Sequence, residues 1–364
     1  MAVTVEQCWH RVPGGTATSI LGTLAALQRR PELDLVGVAA RHAEPAPTSF
    51  RPSVPVAHLP LPRLALYEAW HGLRWPPVER ATGPVDVVHA TAIAIPPTRA
   101  PLVVTIHDLA FLAEPDHATR HGGRFFRRGT ELARRHARLV LVPSEATAAE
   151  CRDAGFDPDR IRLVPWGVDV RTVDDDDIAA VRSRHGLSRP YVLFVATIEP
   201  RKNLGAVIAA MVTLAGRDLD LVLVGPDGWN EDLDGRLRSL EGSGIGVRRL
   251  GFVAPDELPA LYAGCAAFCF PSLREGFGLP VLEAMAHGAP VVTSSGTATA
   301  EVAGGDALLV DPRDHEQVGA ALARVLDDPG LADDLRRRGR ARAASFTWDR
   351  TAELTAAAYA EVAP

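Results

Sequence analysis

Ala267-Phe268-Cys269-Phe270-Pro271-Ser272-Leu273-Arg274-Glu275-Gly276-Phe277-Gly278-Leu279-Pro280-Val281-Leu282-Glu283-Ala284-Met285-Ala286-His287-Gly288 decides the fold of the second half of this chain. It opens on an apolar run of strand length, passes through a loop holding Gly276 and Gly278, and closes on a short predicted helix. Pro280 suits the first helical turn and Gly288 suits the end. Glycines let a main chain approach a ligand closely, and the free amides of a helix start favour negative charge. Glu275 and Glu283 would repel a phosphate there, so each is read as an acceptor of hydrogen bonds from hydroxyl groups, such as those of sugars and riboses. The plainer alternatives are a surface carboxylate for Glu275 and a residue facing the helix dipole for Glu283.

The same strand-then-helix grammar extends in both directions. Runs rich in Val, Ile and Leu lie near residues 3–5, 35–38, 85–89, 102–106, 139–142 and 161–164, and again near 191–195, 219–224, 247–250, 267–270, 290–293 and 307–310. Segments with helical periodicity separate most of them, the pattern of parallel sheets covered on both faces. The expected fold class is α/β, with two doubly wound Rossmann-like domains facing a cleft. Domain boundaries are expected at 1–168 and 169–345, with 346–364 packing back on the first domain. Asp174, Asp175, Asp176 and Asp177 satisfy an Asp-x-Asp metal pattern, but in a predicted linker they read better as a solvated, self-repelling loop, so no metal site is assigned.

Composition narrows the function. At 364 residues and 47% hydrophobic content, each half can carry a full core. A net charge of −6 gives no global basic field, which argues against a nucleic-acid-binding protein and makes any anion site local. Four cysteines are too sparse for a disulfide framework, and no secretory sequence starts the chain, so a cytoplasmic setting is expected. Cys265 and Cys269 lie in an apolar context and read as core residues rather than metal ligands. The apolar runs are strand-sized, too short to span a bilayer.

A second anion site is suggested where Glu199-Pro200-Arg201-Lys202-Asn203 leaves one predicted strand and enters a helix near 204–214. Arg201 and Lys202 would stabilise charge that develops on a departing diphosphate; a solvated Arg-Lys loop is the plain alternative. In the first half, His107 ends a predicted strand, where such sheets bind ligands, with Asp108 beside it to orient the ring. Gly14 and Gly15 lie between the first strand and a helix expected over 20–27, either as amide donors to a ligand or as a tight turn.

Glu275 and Glu283, spaced Glu-x7-Glu in a Glu-Gly-Phe-Gly-Leu-Pro setting, resemble the hallmark of the family-four retaining GT-B glycosyltransferases. The likeness is densest from 192 to 288 and weaker in the first hundred residues. It implies that Glu275 contacts donor-sugar hydroxyls, Glu283 the nucleotide ribose, the amides of Gly276, Phe277, Gly278 and Leu279 the sugar and diphosphate, and the Val253 stretch the base. Lys202 matches the family lysine; the arginine that many members carry five residues earlier is Thr197 here, with Arg201 as its substitute. Relatives place a histidine like His107 near the reacting sugar and bring amides like those of Gly14 and Gly15 to the diphosphate or the acceptor. The resemblance further implies a metal-independent hexosyltransferase with no resident cofactor, using GDP-mannose as first donor and UDP-hexose as second. Its acceptor would be a carbohydrate, lipid-linked or small molecule. The segment 120–138, with seven arginines and Phe125 and Phe126, resembles the basic segment by which some relatives touch the inner face of the plasma membrane, and reads equally as a solvated helix face or an acceptor-phosphate site. A sugar-nucleotide epimerase and a non-catalytic carbohydrate-binding protein of the same fold are the competing classes.

Overall fold

Strands buried on both faces pair in parallel, and every strand pairing among the described residues is parallel. The structure, a computed structural model, describes residues 1–113, 120–226, 228 and 233–364. It divides into two compact units, Met1–Gly167 with Phe346–Pro364, and Val168–Ser345. Val168 thus falls with the second unit, one residue earlier than the sequence reading set it.

The first unit holds β1 (Ala2–Thr4), β2 (Val36–Ala39), β3 (Val56–His58), β4 (Val88–Ala90), β5 (Leu102–Thr105), β6 (Leu139–Val142) and β7 (Ile161–Leu163), in the spatial order β3-β2-β1-β4-β5-β6-β7. The second holds β8 (Tyr191–Val195), β9 (Asp220–Val224), β10 (Gly246–Gly251), β11 (Ala267–Phe270), β12 (Val291–Ser294) and β13 (Leu308–Val310), in the order β10-β9-β8-β11-β12-β13. In each sheet the strand order reverses once, between β1 and β4 and between β8 and β11. The carboxyl ends beside such a reversal form a natural crevice, because the two connecting helices leave it on opposite faces.

Six strands were expected in the first half, and the structure has seven. The extra strand, β3, escapes a hydropathy reading because it is three residues long, follows Pro55 and lies at the sheet edge with His58 exposed. Two further expectations change. The helix expected over 20–27 is Gly14–Leu27, so Gly14 and Gly15 form its first turn instead of a turn before it. The four aspartates are the start of the helix Asp175–Arg184 and not a loop: Asp174 Oδ1 accepts from the Asp177 amide at 2.8 Å in a capping box, and negative charge is favoured at that helix end.

The C-terminal helix Trp348–Val362 packs on the helix Gly14–Leu27 within the first unit. Two glycines leave it room: a Cβ at Gly22 would lie 2.3 Å from the Trp348 indole, and one at Gly167 would lie 2.2 Å from the Trp348 nitrogen. Among the described residues, no helix is long and apolar enough to cross a membrane, and no group of three or more His, Cys, Asp or Glu is placed to hold a metal ion. Cys265 and Cys269 are buried free thiols.

Gly225, at the end of β9, has φ +130° and would put a Cβ 1.9 Å from the Ala196 carbonyl oxygen. Gly225→Ala is expected to destabilise the protein by at least ~2 kcal/mol through combined backbone strain and overlap. A thermal melt reads this directly, and an unchanged midpoint would mean that the loop relaxes freely.

Candidate functional site

At the β8/β11 reversal the chain supplies two loops. After β8 comes the turn Pro200–Lys202 and then the helix Leu204–Val212; after β11 comes the glycine loop and then the helix Leu279–Ala286. Asn203 joins them. Held at φ 59°, it points its side-chain amide at the Pro271 carbonyl (2.9 Å) and the Pro312 carbonyl (2.6 Å). The Leu273 amide and the Ser272 hydroxyl donate to the Arg201 carbonyl at 2.8 and 2.9 Å, so the loops are bound main chain to main chain.

That scaffold brings Arg201, Lys202 and Glu275 together. Lys202 Nζ lies 2.5 Å from Glu275 Oε1, and Arg201 Nη1 lies 3.3 Å from Glu275 Oε2. Ser272 Oγ donates to Glu275 Oε1 at 2.8 Å, and Glu199 takes the Arg201 Nε at 2.6 Å. Lys202 and Glu275 are each only 9% exposed, and Glu199 is 5% exposed. Burial alone would raise the Glu275 carboxyl. The charges of Lys202 and Arg201, with hydrogen bonds from Lys202 and Ser272, outweigh it and hold the carboxyl below its ordinary value. Charges in so dry a place persist because they are paired.

The glycine loop leads into the helix Leu279–Ala286. Gly278 sits at φ +104°, a Cβ there would meet Thr299 Cγ2 at 2.8 Å, and no side chain caps the helix that follows. Gly276 is buried in the same loop. Phe277 and Leu279 turn their side chains into the core, at 3% and 5% exposure.

Glu283, one turn along that helix, is set apart from the ion cluster by its partners. Its carboxylate accepts from the Tyr262 hydroxyl at 3.1 Å, and its main-chain carbonyl accepts from His287 Nδ1 at 2.8 Å. Burial, reinforced by Asp169 and opposed by the Tyr262 hydrogen bond, pushes the carboxyl up to about 7. Val253, just past β10, is a core residue at 6% exposure, whereas its neighbour Phe252 stands 70% exposed.

His107, Gly14 and Gly15 belong to the first unit. His107 Nε2 donates to the Thr91 carbonyl at 2.7 Å, which leaves Nδ1 as a lone-pair acceptor with no partner among the described residues. Its ring lies 5.2 Å from that of Trp166. Burial lowers its pKa against the opposing pull of the Thr91 bond and of Asp108, so the ring is neutral. The expectation that Asp108 orients it is corrected: Asp108 Oδ1 accepts from the Ala110 amide at 3.1 Å, and the Thr91 carbonyl fixes the imidazole. Gly14 and Gly15 are exposed at a helix start that no side chain caps.

Four residues of the second-unit site went unassigned from sequence. Ser272, Glu199 and Tyr262 act on residues that were assigned, and Asn203 closes one loop on the other. Asn203 carried a usable signal, since asparagine directly before a helix often marks a left-handed position or a cap. Tyr262 carried none, because its partner is 21 residues away.

Two family models match the chain: "Glycosyltransferase Family 4" over residues 13–172 and "Glycosyl transferases group 1" over residues 176–342. The O-antigen chain mannosyltransferase B of Escherichia coli is 30% identical over 280 residues, covering 75% of this chain and 74% of that protein. The MMP alpha-(1->4)-mannosyltransferase of Mycolicibacterium hassiacum is 34% identical over 237 residues, covering 63% of this chain and 55% of that protein. The D-inositol 3-phosphate glycosyltransferase of Acidothermus cellulolyticus is 35% identical over 274 residues, covering 70% and 60%. The chain thus spans less than two thirds of the last two relatives. Among solved structures, Anabaena HepE in complex with UDP and glucose superposes with a TM-score of 0.77 at 20% identity over 99% of both chains. WaaG, a glycosyltransferase involved in lipopolysaccharide biosynthesis, gives 0.74 at 17% identity over 98% of both.

Proposed function

The chain belongs to glycosyltransferase family 4 and has the GT-B fold of two Rossmann-like domains, and on that premise we propose that it moves a hexose, mannose first, from a nucleoside-diphosphate sugar to an acceptor hydroxyl, with retention and without a metal. The observation that carries this reading is the Arg201–Lys202–Glu275 cluster at the strand reversal, with Lys202 and Glu275 buried, next to the helix start at Gly278. Mannosyltransferases among its relatives support GDP-mannose as first donor, and HepE with UDP supports a UDP-hexose as second. The second unit is the donor domain and the first the acceptor side.

In the transfer, the bond from the anomeric carbon to the diphosphate breaks, a bond to the acceptor oxygen forms, and the acceptor proton passes to the leaving phosphate. No protein nucleophile is needed. Lys202 and Arg201 meet the charge that grows on the departing diphosphate, and the amides of Gly276, Phe277, Gly278 and Leu279 add donors beside it. Glu275, displaced from its ion pairs by that phosphate, takes hydroxyls of the sugar. Glu283 takes the ribose hydroxyls, the Val253 stretch lies against the base, and His107 offers its free Nδ1 to the sugar. Gly14 and Gly15 present amides to the diphosphate or the acceptor.

Four free cysteines support a cytoplasmic setting. The helix Arg120–His136 exposes Arg124, Arg127 and Arg128 beside Phe126, which supports peripheral contact with anionic lipid.

A panel of labelled nucleotide sugars tests the whole reading. The matching donor is expected to raise the melting temperature by linkage and to be transferred or slowly hydrolysed, with no loss of rate in EDTA. Isomerisation without transfer would identify an epimerase, and binding without turnover a carbohydrate-binding protein. A strong loss in EDTA would bring a metal back into the mechanism.

A further inference from the structure

The carboxyl ends of β1, β2 and β3 in the first unit gather a second cluster of ionisable groups. Glu6, only 4% exposed, is fully engaged: its oxygens accept from His42 Nε2 at 2.9 and 3.0 Å and from the Ala40 amide at 2.7 Å. Trp9 stacks on His42 with ring centres 4.7 Å apart and meets His58 edge-on at 5.8 Å. His58 Nδ1 in turn donates to the Ala40 carbonyl at 2.6 Å. This gives a stiff wall with its one carboxylate already spent.

Against that wall stand groups with nothing to hold. Arg63, the first residue of the helix Arg63–Gly72, is half-buried and has no ion pair or hydrogen bond among the described residues. His10 Nε2 is buried without a partner among the described residues. Arg63 and Tyr67 stand one turn apart on the helix Arg63–Gly72, and Arg63 acts electrostatically on His10 and, less strongly than Glu6, on the Tyr67 hydroxyl. Burial, with Arg63 and His42 adding, pushes His10 down to about 4, so its ring is neutral. A half-buried guanidinium normally finds a carboxylate, and here the nearby one is taken. A neutral sugar brings as many donors as acceptors and would leave this fork under-used. A phosphate brings acceptors only and matches a guanidinium bidentately.

We propose that Arg63, His10 and Tyr67 form an anion site in the first unit that receives a phosphate carried by the acceptor, while the Trp9–His42 wall lies against the acceptor's body. This rests on the transferase reading for the word acceptor, but not for the anion.

The test is calorimetric titration of the whole protein with glycerol 3-phosphate, glycerol and dihexanoyl phosphatidate, repeated on Arg63→Gln, Arg63→Lys and Lys202→Ala. Glycerol 3-phosphate is expected to bind at least tenfold more tightly than glycerol, to lose that margin in Arg63→Gln, to keep part of it in Arg63→Lys, and to be unaffected by Lys202→Ala. A further Arg63-dependent gain with the phosphatidate assigns the phosphate to a lipid, and equal affinities assign it to a soluble acceptor. Binding that ignores Arg63, or glycerol binding as tightly as its phosphate, overturns the proposal. GDP and UDP titrated in parallel keep the two readings apart: Arg63→Gln is expected to bind them as wild type does, and failure of every nucleotide to bind wild-type protein counts against the donor site alone.

Discussion

Glu275→Ala is expected to lower the transfer rate by at least ~10³-fold while leaving the affinity for the free nucleoside diphosphate within about threefold of wild type. The proposed partner of Glu275 is the sugar, which the free diphosphate lacks. Its partners in the empty site are Lys202 and Arg201, which the diphosphate is proposed to claim. Removing the carboxylate therefore frees Lys202, while Arg201 keeps Glu199. It also leaves Lys202 buried and without its counter-charge, a defect worth roughly 3–5 kcal/mol when one member of a buried pair is lost, so the empty variant should melt early and regain much of its stability when nucleotide is added. Glu275→Gln keeps an acceptor at the same place and should melt closer to wild type while remaining slow.

Lys202→Ala is the mirror experiment. It strips the diphosphate of a charge-assisted partner, so nucleotide affinity should fall at least ~10-fold along with the rate. The two variants thus split one ion pair: loss of Glu275 leaves nucleotide binding in place, and loss of Lys202 weakens it. A parallel collapse of nucleotide affinity in Glu275→Ala, measured by calorimetry at temperatures where the variant is folded, would show that Glu275 serves the nucleotide and not the sugar.

The strand reversals explain how far the site was legible in advance. Arg201, Lys202 and Glu275 were assigned because each lies in a loop directly after an apolar run, and parallel sheets put such loops at one edge. Their mutual pairing was not legible, since it depends on β8 and β11 being neighbours although 71 residues separate Val195 from Ala267. The same distance hid Ser272 and Asn203, which act by closing one loop on the other. Local chemistry misled in two places. Four aspartates look like a loop until a capping box and a helix dipole use them, and Asp108 looks like the partner of His107 until the Thr91 carbonyl, just past β4, is seen to hold the ring. β3 was missed for want of hydropathy, because an edge strand is stabilised from one side only.

Nucleotide affinity is expected to fall by about tenfold for each pH unit below 7, because only the ionised Glu283 accepts two ribose hydroxyls well. The carboxyl is raised from 4.5 to about 7 in the empty protein, chiefly by burial. For a carboxyl raised on folding, the sign is fixed: the folded state holds an extra proton between those values, so the stability it contributes is present in full below 4.5 and is lost as the pH rises through 7. Nucleotide binding runs the other way, since hydrogen bonds from the ribose favour the charged form and pull the carboxyl back down. Binding at pH 7 should therefore release part of a proton, visible as a dependence of the calorimetric enthalpy on the buffer's own ionisation enthalpy. Glu283→Gln removes the titration: its affinity should be weaker at pH 8, flat down to pH 6, and free of proton release. A wild-type affinity that is equally flat from pH 6 to 8 would mean that Glu283 is not the ribose acceptor, and the Tyr262 hydroxyl that holds its carboxylate would then be only a core hydrogen bond.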